Sequence, residues 1–291
     1  MFAVMALLPD PVRALWRDPR NEFSPLKASV LAALAAPALA VAVAGATGGL
    51  GAEPVERAQD EAGRWALRFL LLSLAVTPLR LLWRWNRLIL VRRMIGVAAL
   101  LYATAHLAAH VALEDWRLAA VAGEIATRLY LTLGAAALAG LVVLGATSTD
   151  AGVRRLGAGR WQALHRASYP IAVLAVTHFF LQTRLDPSEA FVVSGLLAWL
   201  LAFRVLRWTT GAATPAAALA VAAGVTVAVA LGEAVFFHLR FDAPLASLLA
   251  TNLQTGAGVR PAWIVGGVTL AVAATGGVRR RAPRPAHPRA A

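Results

Sequence analysis

LVRRMIGVAALLYATAHLAAHV, residues 90–111, decides the fold. Two arginines, Arg92 and Arg93, precede an apolar run from Met94 to Leu113. A hydrocarbon core needs about 20 such residues in an α-helix. Inside the run stand two histidines, His106 and His110. A second stretch, YPIAVLAVTHFFL (169–181), repeats the arrangement, with Arg166 twelve residues before His178 as Arg93 is thirteen before His106. At about 1.5 Å per helical residue, both imidazoles lie roughly 18–20 Å from the same membrane face. An ionisable group at that depth is expensive and points to function. Two histidines at one level on separate helices are what bis-axial ligation of a haem iron requires.

The rest of the chain agrees with a membrane fold. Its 291 residues are 59% hydrophobic. Eight apolar runs can be read, at about 27–47, 63–82, 94–113, 128–147, 166–183, 190–207, 213–238 and 261–278. The expected architecture is an all-α, polytopic transmembrane helix bundle. Met1 to Leu8 is too short for a cleavable leader, so an uncleaved first helix is expected. The net charge of +13 would suggest nucleic acid in a soluble protein. Here the arginines cluster in alternate loops, chiefly 80–93, 150–166 and the tail, so the positive-inside rule accounts for them. That rule places both termini in the cytoplasm and leaves nucleic acid out of the partners. The absence of cysteine excludes disulfides, thiolate catalysis and Fe–S clusters.

The other candidate groups have bland readings beside sharp ones. His165, next to Arg166, lies near the inner edge, where it could serve a second haem or touch a flavin or quinone. A lone intramembrane histidine is otherwise a helix–helix hydrogen-bonding residue, and His110 and His165 stay open between these readings. Pro170 should kink or restart the helix between His165 and His178. His238 reads as interfacial and His287 as solvated. Trp83, Trp85, Trp116, Trp161 and Trp208 read as belt aromatics. GATGGLGAEP (45–54) follows a helix rather than a strand, so it is a turn and not a nucleotide loop. Glu233 is the one acid inside a span, either a partner for a polar neighbour or a proton-handling residue. No hydrolase triad, HExxH motif or carboxylate pair is present.

Four stretches resemble a known family: GGLGAEPVERAQDEAGRWALRFLLLSLAVTPLR (48–80), LVRRMIGVAALLYATAHLAAHV (90–111), TRLYLTLGAAALAGLVVLGATST (127–149) and LGAGRWQALHRASYPIAVLAVTHFF (156–180). Their order and spacing over about 48–207 are similar to the MsrQ family, within the ferric-reductase-like transmembrane superfamily. The resemblance implies a b-type cytochrome, with one or two haems b and possible FMN. It would take electrons from the quinone pool and pass them to a periplasmic molybdopterin-dependent methionine sulfoxide reductase. By position it implies His106, His165 and His178 as the haem residues, and membrane lipids as surroundings. It implies an electron-transfer subunit, not a self-contained enzyme. His110 lies outside the carried-over pattern.

The resemblance covers a six-span core. The expected organisation is therefore a cytoplasmic segment (1–26), a core (27–207), a two-span extension (208–278) and a disordered basic tail (279–291). Thr104, Thr177 and backbone carbonyls are the candidates to hydrogen-bond the free ring N–H of each ligand. Two other functions remain in play. One is a ferric or other metal reductase with a different donor. The other is a transporter whose histidines and Glu233 handle protons or metal.

Overall fold

The computed structural model describes residues 15–17, 22–183, 186–211, 213–254, 256 and 258–281. Parts of the expected N-terminal segment (1–14 and 18–21), the tail from 282 onward and His287 lie outside them. The described residues form twelve α-helices and no β-strand. These are α1 (Pro25–Ala46), α2 (Pro54–Trp83), α3 (Ile89–Leu113), α4 (Leu118–Thr127), α5 (Leu129–Ala146), α6 (Asp150–Leu156), α7 (Ala158–His165), α8 (Ser168–Gln182), α9 (Ser188–Thr210), α10 (Pro215–Phe241), α11 (Leu245–Thr251) and α12 (Pro261–Arg281). Each of the eight apolar runs is helical. Six helices, α1, α2, α3, α5, α9 and α10, are long and apolar enough to cross a membrane. α8 has only 15 residues. The first three tail residues, 279–281, continue α12.

Local chemistry sets the ends. Ser24 caps α1 by accepting from the Lys27 N–H, and Thr214 caps α10 by accepting from the Ala217 N–H. In both a proline follows the cap, where its missing N–H costs nothing. The glycine-rich stretch after α1 is a turn, with Gly48 and Gly51 at φ +74° and +79°, a region that glycine enters without strain. α7 stops at His165 and α8 begins at Ser168. Pro170 sits in the first turn of α8, so the helix restarts rather than kinks.

The chain divides into two compact units. One holds the described residues up to Val76 together with Arg87–Gln182; the other holds Thr77–Asn86 and the described residues after Gln182. The division falls beside Pro78 within α2 and between α8 and α9, whereas the sequence suggests a boundary at 207/208.

In the first unit α8 packs on α5, α3 on α5, and α1 on α3. Pro37 interrupts α1, removing one donor and pushing the preceding turn open. The Tyr102 hydroxyl of α3 enters that turn. It accepts from the Ala38 N–H at 2.9 Å and donates to the Leu34 carbonyl at 2.9 Å, bridging a pair that would otherwise bond directly. In hydrocarbon both groups must be satisfied inside the protein. Tyr102→Phe is expected to destabilise the chain by about 1–3 kcal/mol, read as a lower melting temperature in detergent. An unchanged melt would mean that α1 closes its own ladder.

In the second unit α9, α10 and α12 pack on one another, and α11 packs on α10. Gly195 of α9 permits the close crossing. A Cβ there would lie 2.6 Å from Val229 and 2.8 Å from Val265, the small-residue logic of membrane helix contacts. The Trp83 indole donates to Thr275 Oγ1 at 3.1 Å.

Candidate functional site: a paired-imidazole centre

Four helices of the first unit build the centre. α3 carries His106 and α8 carries His178, and their ring centroids are 6.4 Å apart with planes at 77°. The sequence matched the two by depth; the fold brings the rings together with their planes nearly perpendicular. The restart of α8 after Arg166 fixes the rotation that could not be read across Pro170.

Each ring is held by a helix that carries no histidine of the pair. His106 Nδ1 lies 2.8 Å from the Gln59 carbonyl of α2. His178 Nδ1 lies 2.6 Å from the Tyr130 carbonyl of α5. A carbonyl only accepts, so Nδ1 carries the proton in the neutral ring and Nε2 keeps its lone pair. Neither Nε2 has a hydrogen bond among the described residues. The Tyr130 ring stacks beside His178 at 6.2 Å and 21°. Backbone carbonyls were among the expected partners, but Thr104 is not one. Its hydroxyl donates to Leu100 O at 3.0 Å in its own helix, because a threonine reaches the i−4 carbonyl more readily than a neighbouring helix.

His165 is held separately, in α7. Its ring stacks on Trp161 at 3.8 Å. Its Nδ1 lies 3.0 Å from the Trp161 carbonyl and its Nε2 3.2 Å from Ser148 Oγ. Burial holds its pKa below the ordinary histidine value, and the nearby Arg92 and Arg93 push the same way. Trp161 is therefore a stacking partner for His165, and its indole also donates to Thr147 O at 2.9 Å. Arg93 is paired with Asp150 at 2.7 Å, and that bond holds the Asp150 carboxyl below its usual range. His110, one turn beyond His106, has a buried Nε2 with no hydrogen-bond partner. His238 Nδ1 lies 2.8 Å from Ala243 O at the end of α10. No cluster of three or more His, Asp or Glu side chains suited to a metal ion occurs among the described residues.

Whether the pair fits a haem iron can be tested by distance. A metal–nitrogen bond of about 2 Å, as imidazole makes to zinc, and a ring radius of about 1.1 Å put the centroids of two imidazoles that share one metal from opposite sides roughly 6.2 Å apart. The observed 6.4 Å is close to that span, and with each Nδ1 engaged by a carbonyl each ring keeps Nε2 for a metal, so the residues present fit the group.

Comparison with known proteins points the same way. Residues 62–176 match the family described as ferric reductase like transmembrane component, a match that takes in His106 and His165. The fold and this match define a ferric-reductase-like membrane protein. The heme-binding subunit MsrQ of protein-methionine-sulfoxide reductase from Rhodospirillum rubrum is 47% identical over 162 residues, covering 55% of this chain and 77% of the relative. The Azospira oryzae protein of the same name is 36% identical over 222 residues, covering 73% and 95%. That from Xanthomonas euvesicatoria pv. vesicatoria is 43% identical over 166 residues, covering 56% and 75%. No solved structure matches the chain. The chain belongs to the MsrQ family.

Proposed function

We propose that this chain is the membrane-embedded, haem-binding electron-transfer subunit of a methionine sulfoxide reduction system. The observation that carries the reading is the His106–His178 pair, whose rings are spaced to hold one metal between them. The names of the relatives supply the reaction. A bound haem b would supply reversible one-electron chemistry. The chain's residues do the rest. His106 and His178 offer their Nε2 lone pairs. The Gln59 and Tyr130 carbonyls fix the tautomer of each ring and raise its basicity as a ligand.

The finer reading has eight crossings, with α8 and α12 added to the six long helices, and both termini in the cytoplasm of the bacterial inner membrane. Its organisation is a core over 27–207 with a two-span extension over 208–278. Electrons enter from quinol, with FMN as a possible intermediate carrier, and leave on the periplasmic side to a molybdopterin-dependent reductase. His106 and His178 would hold one haem. A second haem on His165 would need Ser148 to give up its contact with Nε2.

The test is spectroscopic. The purified full chain is expected to show a reduced-minus-oxidised b-type spectrum. Addition of a quinol should reduce it, and methionine sulfoxide should reoxidise it only when the catalytic subunit is present. A folded but colourless chain would favour a proton- or metal-handling transporter. A chain reoxidised by ferric chelates alone would favour a metal reductase.

A further inference from the structure

The two imidazoles are seated in the same way twice. The Gln59 carbonyl that receives His106 is followed four residues later by Gly63, and the Tyr130 carbonyl that receives His178 is followed four residues later by Gly134. A Cβ built on Gly63 would lie 2.8 Å from His106 Nδ1 and 3.1 Å from its Cε1. A Cβ built on Gly134 would lie 2.8 Å from His178 Nδ1 and 2.9 Å from its Cε1.

The spacing has a geometric cause. In an α-helix the N–H of residue i+4 bonds the carbonyl of residue i. Every Cβ tilts toward the helix N-terminus, so the side chain at i+4 overhangs that carbonyl. The carbonyl has a second lone pair. An imidazole from another helix can reach it only through the space a Cβ at i+4 would fill. A 2.8 Å contact must open by roughly 0.6 Å before it becomes an ordinary one. A ring displaced that far from Gly63 or Gly134 cannot keep both its bond to the carbonyl and its place opposite the other imidazole.

We propose that Gln59–Gly63 and Tyr130–Gly134 are matched cradles, in which the glycines are positioning residues that set the orientation of His106 and His178. The proposal rests on the haem reading for its consequence, but the seating of the rings exists without haem. Gly96 and Gly123 serve as controls, because a Cβ at either meets nothing within 4 Å.

The test uses the full chain in detergent, as wild type and as Gly63→Ala, Gly134→Ala, Gly96→Ala and Gly123→Ala. Nitrogen-15 NMR of labelled histidine in the wild type without haem reads the tautomers directly. His106 and His178 should both be protonated at Nδ1 and hydrogen-bonded. Gly63→Ala should disturb the His106 signal alone and Gly134→Ala the His178 signal alone. Circular dichroism and gel filtration should show all four variants folded. In the haem-loaded chain, either cradle variant should lower haem affinity about 10–100-fold, the usual effect of losing a ligand's outer partner. The low-spin ferric EPR spectrum, which reports the angle between the two ring planes, should change with it. The controls should match the wild type in every readout. Nε2-protonated rings in the wild type would overturn the cradles, and this result needs no variant to fold. So would a Gly63→Ala or Gly134→Ala chain with unchanged histidine signals. A colourless wild type with the expected tautomers would instead sink the haem reading and leave the cradles standing.

Discussion

His106→Ala and His178→Ala, each in the full chain, are expected to abolish the low-spin b-type spectrum while leaving a folded protein. Each substitution removes one of the two ring nitrogens that would hold the haem. The loss should exceed the 10–100-fold typical when only a ligand's outer partner is removed. The folds should survive because neither ring has a hydrogen bond beyond its single carbonyl. That carbonyl keeps its helical partner when the ring is gone. His165→Ala provides the contrast. Its ring is stacked on Trp161 and sits against Ser148, so the spectrum due to the His106–His178 pair should persist. Haem content per chain then counts the sites: an unchanged content in His165→Ala means one haem, and a halved content means two. Retention of a full low-spin signal in either His106→Ala or His178→Ala would remove the basis for the proposed function.

The sequence carried the long-range design and missed the close-range one. Runs near the length of a bilayer crossing were visible, and each of the eight is helical. The short helices α4, α6, α7 and α11 have seven to ten residues. They fall in segments read as loops, because so few turns give little periodicity. The histidine pair was legible because depth is a count of residues from a charged edge. Rotation about the helix was not, since the break between α7 and α8 resets the phase. The imidazoles' partners were the least legible part. A backbone carbonyl leaves no mark in a sequence, and Thr104, the visible donor, bonds within its own helix. One trace did exist, in the glycine four residues beyond each accepting carbonyl. Gly63 and Gly134 look like ordinary small residues in apolar helices until the rings above them are placed.

Arg260→Ala is expected to destabilise the chain by about 3 kcal/mol or more. Glu233 is the acid the sequence singled out inside a span, and it is 2% exposed in α10. Among the described residues its carboxylate oxygens have no hydrogen-bond partner, and the counter-charge paired with it is Arg260 at 3.8 Å. Nothing in the sequence hints at that pairing, because the two stand 27 positions apart with the short helix α11 between them. A contact of that length with no hydrogen bond stabilises weakly. Its removal is still costly, because an uncompensated carboxylate then remains in a low-dielectric interior. The melting temperature in detergent should fall by about 5–10 °C. Glu233→Leu combined with Arg260→Leu deletes both charges and should return stability to within about 1 kcal/mol of the wild type, as is usual when a buried pair is replaced by apolar groups. The double variant therefore separates a structural pair from a working one. A chain that melts like the wild type and transfers electrons at the wild-type rate makes Glu233 and Arg260 a packing solution. Wild-type stability with slowed transfer would make Glu233 a proton-handling group, and an Arg260→Ala chain as stable as the wild type would show that the carboxyl is neutral in the fold.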